Sequence, residues 1–341
     1  MAKNTGSTSK KAAAVVKAAD AASKTADQMA EAAESTAKAA DQIAEKAEAV
    51  SKAADQTART AGSAKKIGVA IFDFDAPFFG EMRAGLEDEA ARNGLAITYR
   101  STTFSIKSQL DAIEDIQKEG VDLLILAASN DSAIIKKIAE LDKRGIPTIC
   151  LHSDIPGSAR RAYVGADSYK SGTIAAGLLG RMVPQGKQME VGVITGDPNV
   201  FAHTERVRGF KEYMATNFPK ITVDAVIASE DDDYRCYEDV QKMIADFPMI
   251  RGLYFTAGGH YGGCKALWQL TTRMKFNVIT MTEVPSTLDF MKKGVIDMTI
   301  IEDADKQGRI AARVAREILD GKPVEDRYLT KNALKSKECL Y

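Results

Sequence analysis

The sequence predicts an α/β protein in which two doubly wound lobes follow a long, alanine-rich helix. Three observations lead to this prediction. Residues 12–61 consist mostly of helix-forming residues arranged in seven-residue repeats. From residue 67 onward, short apolar runs alternate with amphipathic segments, an order typical of parallel sheets covered by helices. Nine such apolar runs, with a long helical segment in the middle, indicate two sheets rather than one.

The N-terminal segment, residues 1–66, is predicted to be a coiled-coil-like helix with a disordered start. Alanine occupies every seventh position from Ala12 to Ala61. An alanine row permits close helix approach but buries little apolar area, so a coiled coil built on it is expected to be weak. Three interpretations stay open: a solvated helix without a partner, a self-associating coil that makes a homodimer, and a basic tail for nucleic acid.

The elements that follow are predicted from composition and periodicity. Each strand is a run of four to seven mostly aliphatic or β-branched residues, and the strands are predicted at 67–72, 96–101, 123–127, 148–151, 190–195, 222–228, 252–256, 277–281 and 298–301. Each helix has apolar residues at helical spacing, and several begin at a capping residue such as Ser132 or Thr204. The helices are predicted at 79–93, 106–119, 132–144, 168–183, 204–217, 234–246, 261–272, 286–293 and 306–320.

The composition is that of an ordinary globular protein. The chain has 341 residues, 45% hydrophobic and 27% charged, and a net charge of −1, which gives no overall field for nucleic acid or a membrane. No apolar run approaches the roughly 18 residues of a membrane span. The four cysteines lack metal-site spacing and are interpreted as thiols of a reducing compartment rather than disulfides. With no run typical of a signal peptide, we predict a cytoplasmic location.

Polar and aromatic residues follow most of the predicted strands. In open α/β sheets, ligands bind beyond the carboxyl ends of the strands, so these residues are expected to line a cleft between two facing lobes. Rings stack on sugar faces and carboxylates accept hydrogen bonds from hydroxyls, so the mixture favours a small hydroxylated ligand. The residues that follow the strands are Asp73–Phe79, Ser129–Asp131, His152–Asp154, Asp197, Asn199, His203–Arg206, Gly258–His260, Thr282–Glu283 and Glu302–Asp303.

No motif for catalysis, metal binding or nucleotide binding accompanies this cleft. The glycine-rich run Gly258–Gly263 does not have the pattern of a phosphate-binding loop. The acidic run Glu230–Asp233 lacks the spacing of a calcium loop and is interpreted as a helix start. His203 is interpreted as a binding residue, because no nucleophile motif accompanies it. We therefore predict a binding protein that is not an enzyme and uses no metal and no cofactor.

Several motifs, in a fixed order, are shared with a known fold family. They are APFF (Ala76–Phe79), GVDLLILAAS (Gly120–Ser129), RGIPTICLHSDIP (Arg144–Pro156), YVGADSYKSG (Tyr163–Gly172), GLLG (Gly177–Gly180), ERVRGF (Glu205–Phe210) and GGHYGGCKAL (Gly258–Leu267). With these motifs, residues 67–330 resemble the type 1 periplasmic-binding-protein fold, with its two Rossmann-like lobes. More narrowly, they are similar to the ligand-sensing domain of the lactose-repressor (LacI/GalR) family of transcription regulators, and to ribose- and galactose-binding proteins.

The resemblance implies roles for individual residues. Phe78 and Phe79 would stack on the ligand, and Arg206, in the RxxGF pattern, would donate hydrogen bonds to ligand oxygens. Asp167, in the VGxD pattern, would lie near the hinge between the lobes.

Other ligand positions depart from those of the pentose-binding members. His152 and Ser153 stand where those proteins have Asp-Arg, and Gly258 stands where they have Asn. The remaining predicted ligand-binding residues are three carboxylates, Asp75, Glu283 and Glu302. These carboxylates favour a polyol, an amino sugar or another partly cationic ligand.

The chain is predicted to have three parts: the helix of residues 1–66, an N-terminal lobe of 67–168 plus about 303–326, and a C-terminal lobe of 169–302 plus about 327–335. The helix-turn-helix of the repressor family has no counterpart in residues 1–66, so DNA binding is not implied. The predicted function is a ligand sensor that closes on a sugar-like molecule and has a regulatory output. Two alternatives stay open: a solute-binding protein of a sugar transporter, and a transcription regulator whose DNA-binding region is divergent or missing.

Overall fold

The computed structural model describes residues 65–182, 189–270 and 274–340, which form two sheets flanked by helices. The strands are β1 (Lys65–Phe72), β2 (Leu95–Thr102), β3 (Leu123–Leu126), β4 (Thr148–Leu151), β5 (Ala162–Ala166), β6 (Met189–Thr195), β7 (Ile221–Ala228), β8 (Ile250–Phe255), β9 (Asn277–Met281), β10 (Met298–Glu302), β11 (Arg327–Thr330) and β12 (Asn332–Ser336). The helices are α1 (Pro77–Arg92), α2 (Ile106–Lys118), α3 (Ser132–Lys143), α4 (Ser168–Met182), α5 (Phe201–Asn217), α6 (Asp233–Asp246), α7 (His260–Leu270), α8 (Pro285–Lys292) and α9 (Ala304–Leu319), with a 3₁₀ helix at Lys337–Leu340.

The two sheets repeat one strand order. The first runs β2-β1-β3-β4-β5-β11 and is parallel throughout. The second runs β7-β6-β8-β9-β10-β12, and β12 lies antiparallel to β10. Helices cover both faces of such sheets, which is why β1 is a continuous apolar run that is buried from Ile67 to Phe72. The predicted fold of two doubly wound lobes is confirmed, while the predicted helix of residues 1–66, with its homodimer and nucleic-acid interpretations, lies outside the described residues.

The chain passes between the two lobes three times. The first lobe holds the first sheet with α1, α2, α3 and α9, and the second lobe holds the second sheet with α4 to α8. The crossings follow β5 at Asp167, follow β10 at Asp303, and separate β11 from β12 at Lys331. Asp167, the predicted hinge residue, therefore lies in the first crossing segment.

The predicted division into lobes needs one correction. The sequence assigns residues from about 327 to 335 to the second lobe, but Arg327–Thr330 pair with β5 of the first sheet, and Asn332–Ser336 pair with β10 of the second. The boundary was misplaced because β5, β11 and β12 are absent from the predicted strands. These strands are only four or five residues long, and β5 (AYVGA) is rich in small residues, so hydrophobic periodicity does not detect them.

Two helix pairs pack with their backbones in close contact at glycines. In the first lobe, a Cβ added to Gly85 of α1 would lie 2.2 Å from the carbonyl oxygen of Asp305 in α9. In the second lobe, a Cβ added to Gly172 of α4 would lie 2.0 Å from the carbonyl oxygen of Arg206 in α5. The second contact fixes the backbone of the arginine that the sequence predicts to bind ligand.

Replacing Gly85 by alanine should lower the free energy of unfolding by about 1–3 kcal/mol, because the new methyl group would overlap the α9 backbone. Gly80→Ala is the matched control in the same helix, where an added Cβ would lie at an ordinary 3.6 Å from the Phe74 carbonyl oxygen. It should be neutral or stabilising by up to about 1 kcal/mol. Urea unfolding of both variants measures the difference, and equal effects would contradict the packing described.

Candidate functional site

A cleft of about 790 Å³ lies beyond the carboxyl ends of strands from both sheets. From the first lobe it is lined by the segment that leads from β1 into α1, by the residues after β2, and by His152 after β4. From the second lobe it is lined by residues that follow β6, β7, β8 and β9. The volume lies within the range of roughly 300–1,000 Å³ that is usual for small-molecule sites.

The first lobe contributes an aromatic wall. Pro77 starts α1 immediately after the loop, so Phe78 and Phe79 lie on its first turn. Their ring centroids lie 4.9 and 5.6 Å from the His152 imidazole, and both contacts are edge to face. Phe72 and Phe104 extend the wall, with their centroids 4.8 Å apart. Such a surface suits the flat, apolar face of a ring.

His152 combines backbone strain with an unpaired polar atom. Its φ of 66° lies in the left-handed region, as does the φ of 70° at Thr282, the residue that follows β9 at the corresponding place in the second lobe. A non-glycine residue in this region costs on the order of 1–3 kcal/mol and is often found at ligand sites. The Nδ1 atom of His152 is buried without a hydrogen-bond partner in the protein. Burial, with the nearby Arg206 and His203, holds the pKa of His152 well below its usual value, so the ring is neutral.

The second lobe contributes a buried ion pair. Arg206 Nη2 donates to Glu302 Oε2 at 2.7 Å, and the two side chains are only 3% and 1% exposed. Arg206 Nη1 donates to the Thr256 carbonyl oxygen at 2.9 Å. Burial is the largest influence on the pKa of Arg206 and acts to lower it, but Glu302, Tyr254 and Tyr163 together raise it, so the guanidinium stays charged.

Ser171 and Asn332 extend this ion pair into a hydrogen-bond network. Ser171 Oγ lies 3.0 Å from Glu302 Oε1 and can donate to it, and Asn332 Nδ2 donates to Ser171 Oγ at 2.9 Å. Glu302 therefore has partners on both of its carboxylate oxygens.

Three buried polar atoms of cleft-lining residues have no partner in the protein. They are Thr102 Oγ1, His152 Nδ1 and Arg206 Nε. Buried polar atoms are nearly always hydrogen-bonded, so these three residues hold hydrogen-bonding capacity that the protein does not use.

The Asp231 side chain connects three loops of the second lobe by hydrogen bonds. Its Oδ1 accepts from Gly258 N at 2.6 Å and its Oδ2 accepts from Asp197 N at 3.3 Å. Its φ of 61° is left-handed, as is that of Glu230 at 54°. The acidic run was interpreted as a helix start, and Asp232 does cap α6 by accepting from Arg235 N at 2.6 Å. The role of Asp231 was missed, since no spacing signals a contact between separate loops.

The structure brings together only part of the predicted site. Five of the nine predicted ligand-binding residues line the cleft: Phe78, Phe79, His152, Arg206 and Gly258. Ser153 lies just behind the wall, is fully buried, and accepts a hydrogen bond from Ala202 N at 3.3 Å. The ligand-binding role of these residues stays a prediction.

The three predicted carboxylates do not line the cleft. Asp75 is exposed, Glu283 pairs with Lys335, and Glu302 lies behind Arg206. The lining carboxylates are instead Asp73, Asp231 and Asp233.

The described residues contain neither a metal-binding cluster nor a membrane-spanning helix. Among them, no group of three His, Cys, Asp or Glu side chains is arranged to hold a metal ion. No described helix is long and apolar enough to cross a membrane. Cys150, Cys236 and Cys264 are buried free thiols, and Cys339 is exposed.

Comparison with known proteins agrees with this geometry. Residues 67–323 match the family model of the periplasmic binding protein domain. The ribose import binding protein RbsB of Bacillus subtilis is 23% identical over 260 residues, which cover 76% of this chain and 83% of that protein. The structure of GanP, a glucose-galactose binding protein from Geobacillus stearothermophilus, is similar with a TM-score of 0.77 and 24% identity, over 82% of this chain and 99% of that one. A solute binding protein of an ABC transporter from Burkholderia graminis, in complex with D-arabinose, has a TM-score of 0.74 and 22% identity, over 82% and 98% of the two chains.

These matches confirm the predicted resemblance to the type 1 periplasmic-binding-protein fold and correct the predicted location. The cytoplasmic prediction is wrong, because the matching family is that of periplasmic binding proteins and the relatives are import proteins. The prediction rested on thiols and on the composition of the N-terminus, and neither of these determines the compartment.

The free energy of unfolding should fall as the pH is lowered from 7 to 5. Burial lowers the pKa of His152, His203 and His260 in the folded protein, whereas in the unfolded chain they titrate near 6.5. The unfolded state therefore binds more protons below that pH. The contribution of the neutral histidines is complete above about pH 6.5 and is lost as the pH falls toward the lowered pKa values.

Urea unfolding at pH 7, 6 and 5 measures this slope. His152→Gln should flatten it by up to about 1.4 kcal/mol per pH unit, which corresponds to one proton. Identical slopes for the variant and the parent would show that His152 does not contribute to the pH dependence.

Proposed function

Because the chain belongs to the periplasmic binding protein family, we propose that it binds a sugar or polyol in this cleft and serves as the solute-binding protein of a sugar importer. The observation that carries the proposal is the cleft itself, which is lined by an aromatic wall and by three residues with unpaired, buried polar atoms. The names of the relatives, a ribose import binding protein and a transporter protein in complex with D-arabinose, support the same class of ligand.

The chemistry of the cleft suits a hydroxylated ring. Phe78 and Phe79 offer surface for the apolar face of such a ring, and Arg206 Nε can donate to a ring or hydroxyl oxygen. The neutral His152 ring and the Thr102 hydroxyl can each donate or accept, which matches hydroxyl groups that do both.

The connection between the lobes suits closure on a ligand. Where they meet beside the cleft, Asn130 N donates to the Asn199 carbonyl oxygen at 2.7 Å, and Val200 packs into the core of the first lobe. A ligand that contacts both lobes stabilises the closed arrangement of the lobes by the difference between its binding free energies for the closed and open states.

The importer role has better support than the predicted regulatory role. The matching relatives are named for import, and no observation on the described residues favours a transcription regulator. We also propose that the site binds without catalysis. Ser286 Oγ, a hydroxyl that lines the cleft, lies 3.3 Å from His260 Nε2, but the Thr287 hydroxyl lies closer, at 3.0 Å, and competes for that nitrogen.

A screen of the full chain against arabinose, ribose, xylose, galactose and myo-inositol tests the proposal. A ligand at 100 times its Kd should add about 2.7 kcal/mol of stability, visible as a raised Tm. Phe79→Ala should weaken the best ligand by roughly 10-fold or more, since about 1.5–3 kcal/mol of apolar contact is at stake. Tyr234→Ala, an aromatic substitution at a residue that is 71% exposed and outside the cleft, is the control and should bind like the parent. A flat screen would refute the sugar proposal.

A further inference from the structure

We propose that Glu302 sets the charge class of the ligand: by pairing with Arg206, it makes the cleft select uncharged rings over related molecules that carry a carboxylate or phosphate. This inference rests on the proposed function of the cleft. Glu302 does not line the cleft, so it acts through Arg206 and is a positioning residue.

The first support is the way in which the guanidinium of Arg206 is used. A carboxylate or phosphate is bound best by two parallel N–H donors of one arginine. In this protein Nη2 donates to Glu302 and Nη1 donates to the Thr256 carbonyl oxygen. Nε has no protein partner, but both pairs of parallel donors on a guanidinium, Nε with Nη2 and Nη1 with Nη2, include Nη2. An anion bound by two parallel N–H groups would therefore share Nη2 with the Glu302 carboxylate.

The second support is the charge of the residues that line the cleft. Arg206 is the only lysine or arginine among the described residues that line the cleft, and Glu302 balances its charge at 2.7 Å. The other charged lining residues are Asp73, Asp231 and Asp233, and all three are acidic. The three histidines are held neutral by burial. An anionic ligand would therefore meet carboxylates without an available cation, in a site where charges interact more strongly than in water.

The third support is how firmly Glu302 is held. Its side chain is 1% exposed, and Ser171 Oγ lies 3.0 Å from its second oxygen. Asn332 in turn donates to Ser171. A carboxylate with partners on both oxygens cannot easily turn away and release Arg206 to a ligand anion.

Binding to matched ligand pairs tests the inference. Calorimetry on the full chain would compare galactose with galacturonate, glucose with glucuronate, and ribose with ribose 5-phosphate. The parent protein should bind the neutral member of its best pair at least 100-fold more tightly than the anionic one. Glu302→Gln keeps the shape of the side chain and one acceptor oxygen but leaves the Arg206 charge unbalanced. It should therefore lower the ratio of the affinities for the neutral and the anionic ligand at least 10-fold.

Glu212→Gln is the matched control, because it makes the same carboxylate-to-amide change at an exposed position of α5 outside the cleft. Its ratio should equal that of the parent. A purely structural role for Glu302 would change stability and leave the ratio unchanged, so a folded Glu302→Gln protein with the parent ratio would overturn the inference. Should Glu302→Gln fail to fold, the affinities of the parent protein decide. Binding of the neutral member of its best pair at least 100-fold more tightly than the anionic member supports the inference, and a smaller difference overturns it.

The outcomes also separate this inference from the proposed function. Binding of an anionic member with no binding of its neutral partner would leave sugar binding in place and overturn the charge selection alone. No binding of any member of any pair would refute the proposed function, and this inference would fall with it.

Discussion

The buried ion pair between Arg206 and Glu302 is the interaction on which the arrangement of the cleft depends. Removing one partner from such a pair usually costs about 3–5 kcal/mol, because the other charge is left buried and alone. Here the pair also has a geometric effect: it fixes the plane of the guanidinium and leaves Nε as the guanidinium nitrogen without a protein partner. The close packing of Gly172 against the Arg206 backbone fixes the position from which this side chain extends.

The same hydrogen-bond network touches all three places where the chain passes between the lobes. Glu302 is the last residue before the crossing at Asp303. The Ser171 hydroxyl, which lies 3.0 Å from Glu302 Oε1, also lies 3.1 Å from the carbonyl oxygen of Asp167 in the first crossing, and its one hydrogen can be donated to either oxygen. Asn332, which donates to Ser171, directly follows the third crossing at Lys331. A ligand that engages Arg206 is thereby connected through direct contacts to the segments that any hinge motion must bend.

The sequence predicted those parts of the site that follow from local structure. Phe78 was predictable because a buried strand leads into a helix that starts at Pro77, and Arg206 was predictable from its motif. Neighbouring loop residues could not be separated in this way: Thr282 lines the cleft, whereas Glu283 pairs with Lys335 on β12, a strand that hydrophobic periodicity does not detect. The contact of Asp231 with two other loops was not predictable either, since it depends on tertiary packing that has no period in the sequence.

A crystal structure of the full chain with the neutral sugar that stabilises it most would test the central claim directly. The sugar ring should lie against Phe78 and Phe79, with one of its oxygens about 3 Å from Arg206 Nε and with the Arg206–Glu302 pair intact. A sugar bound outside the cleft, or an Arg206 that has left Glu302 to place two nitrogens on the ligand, would contradict it.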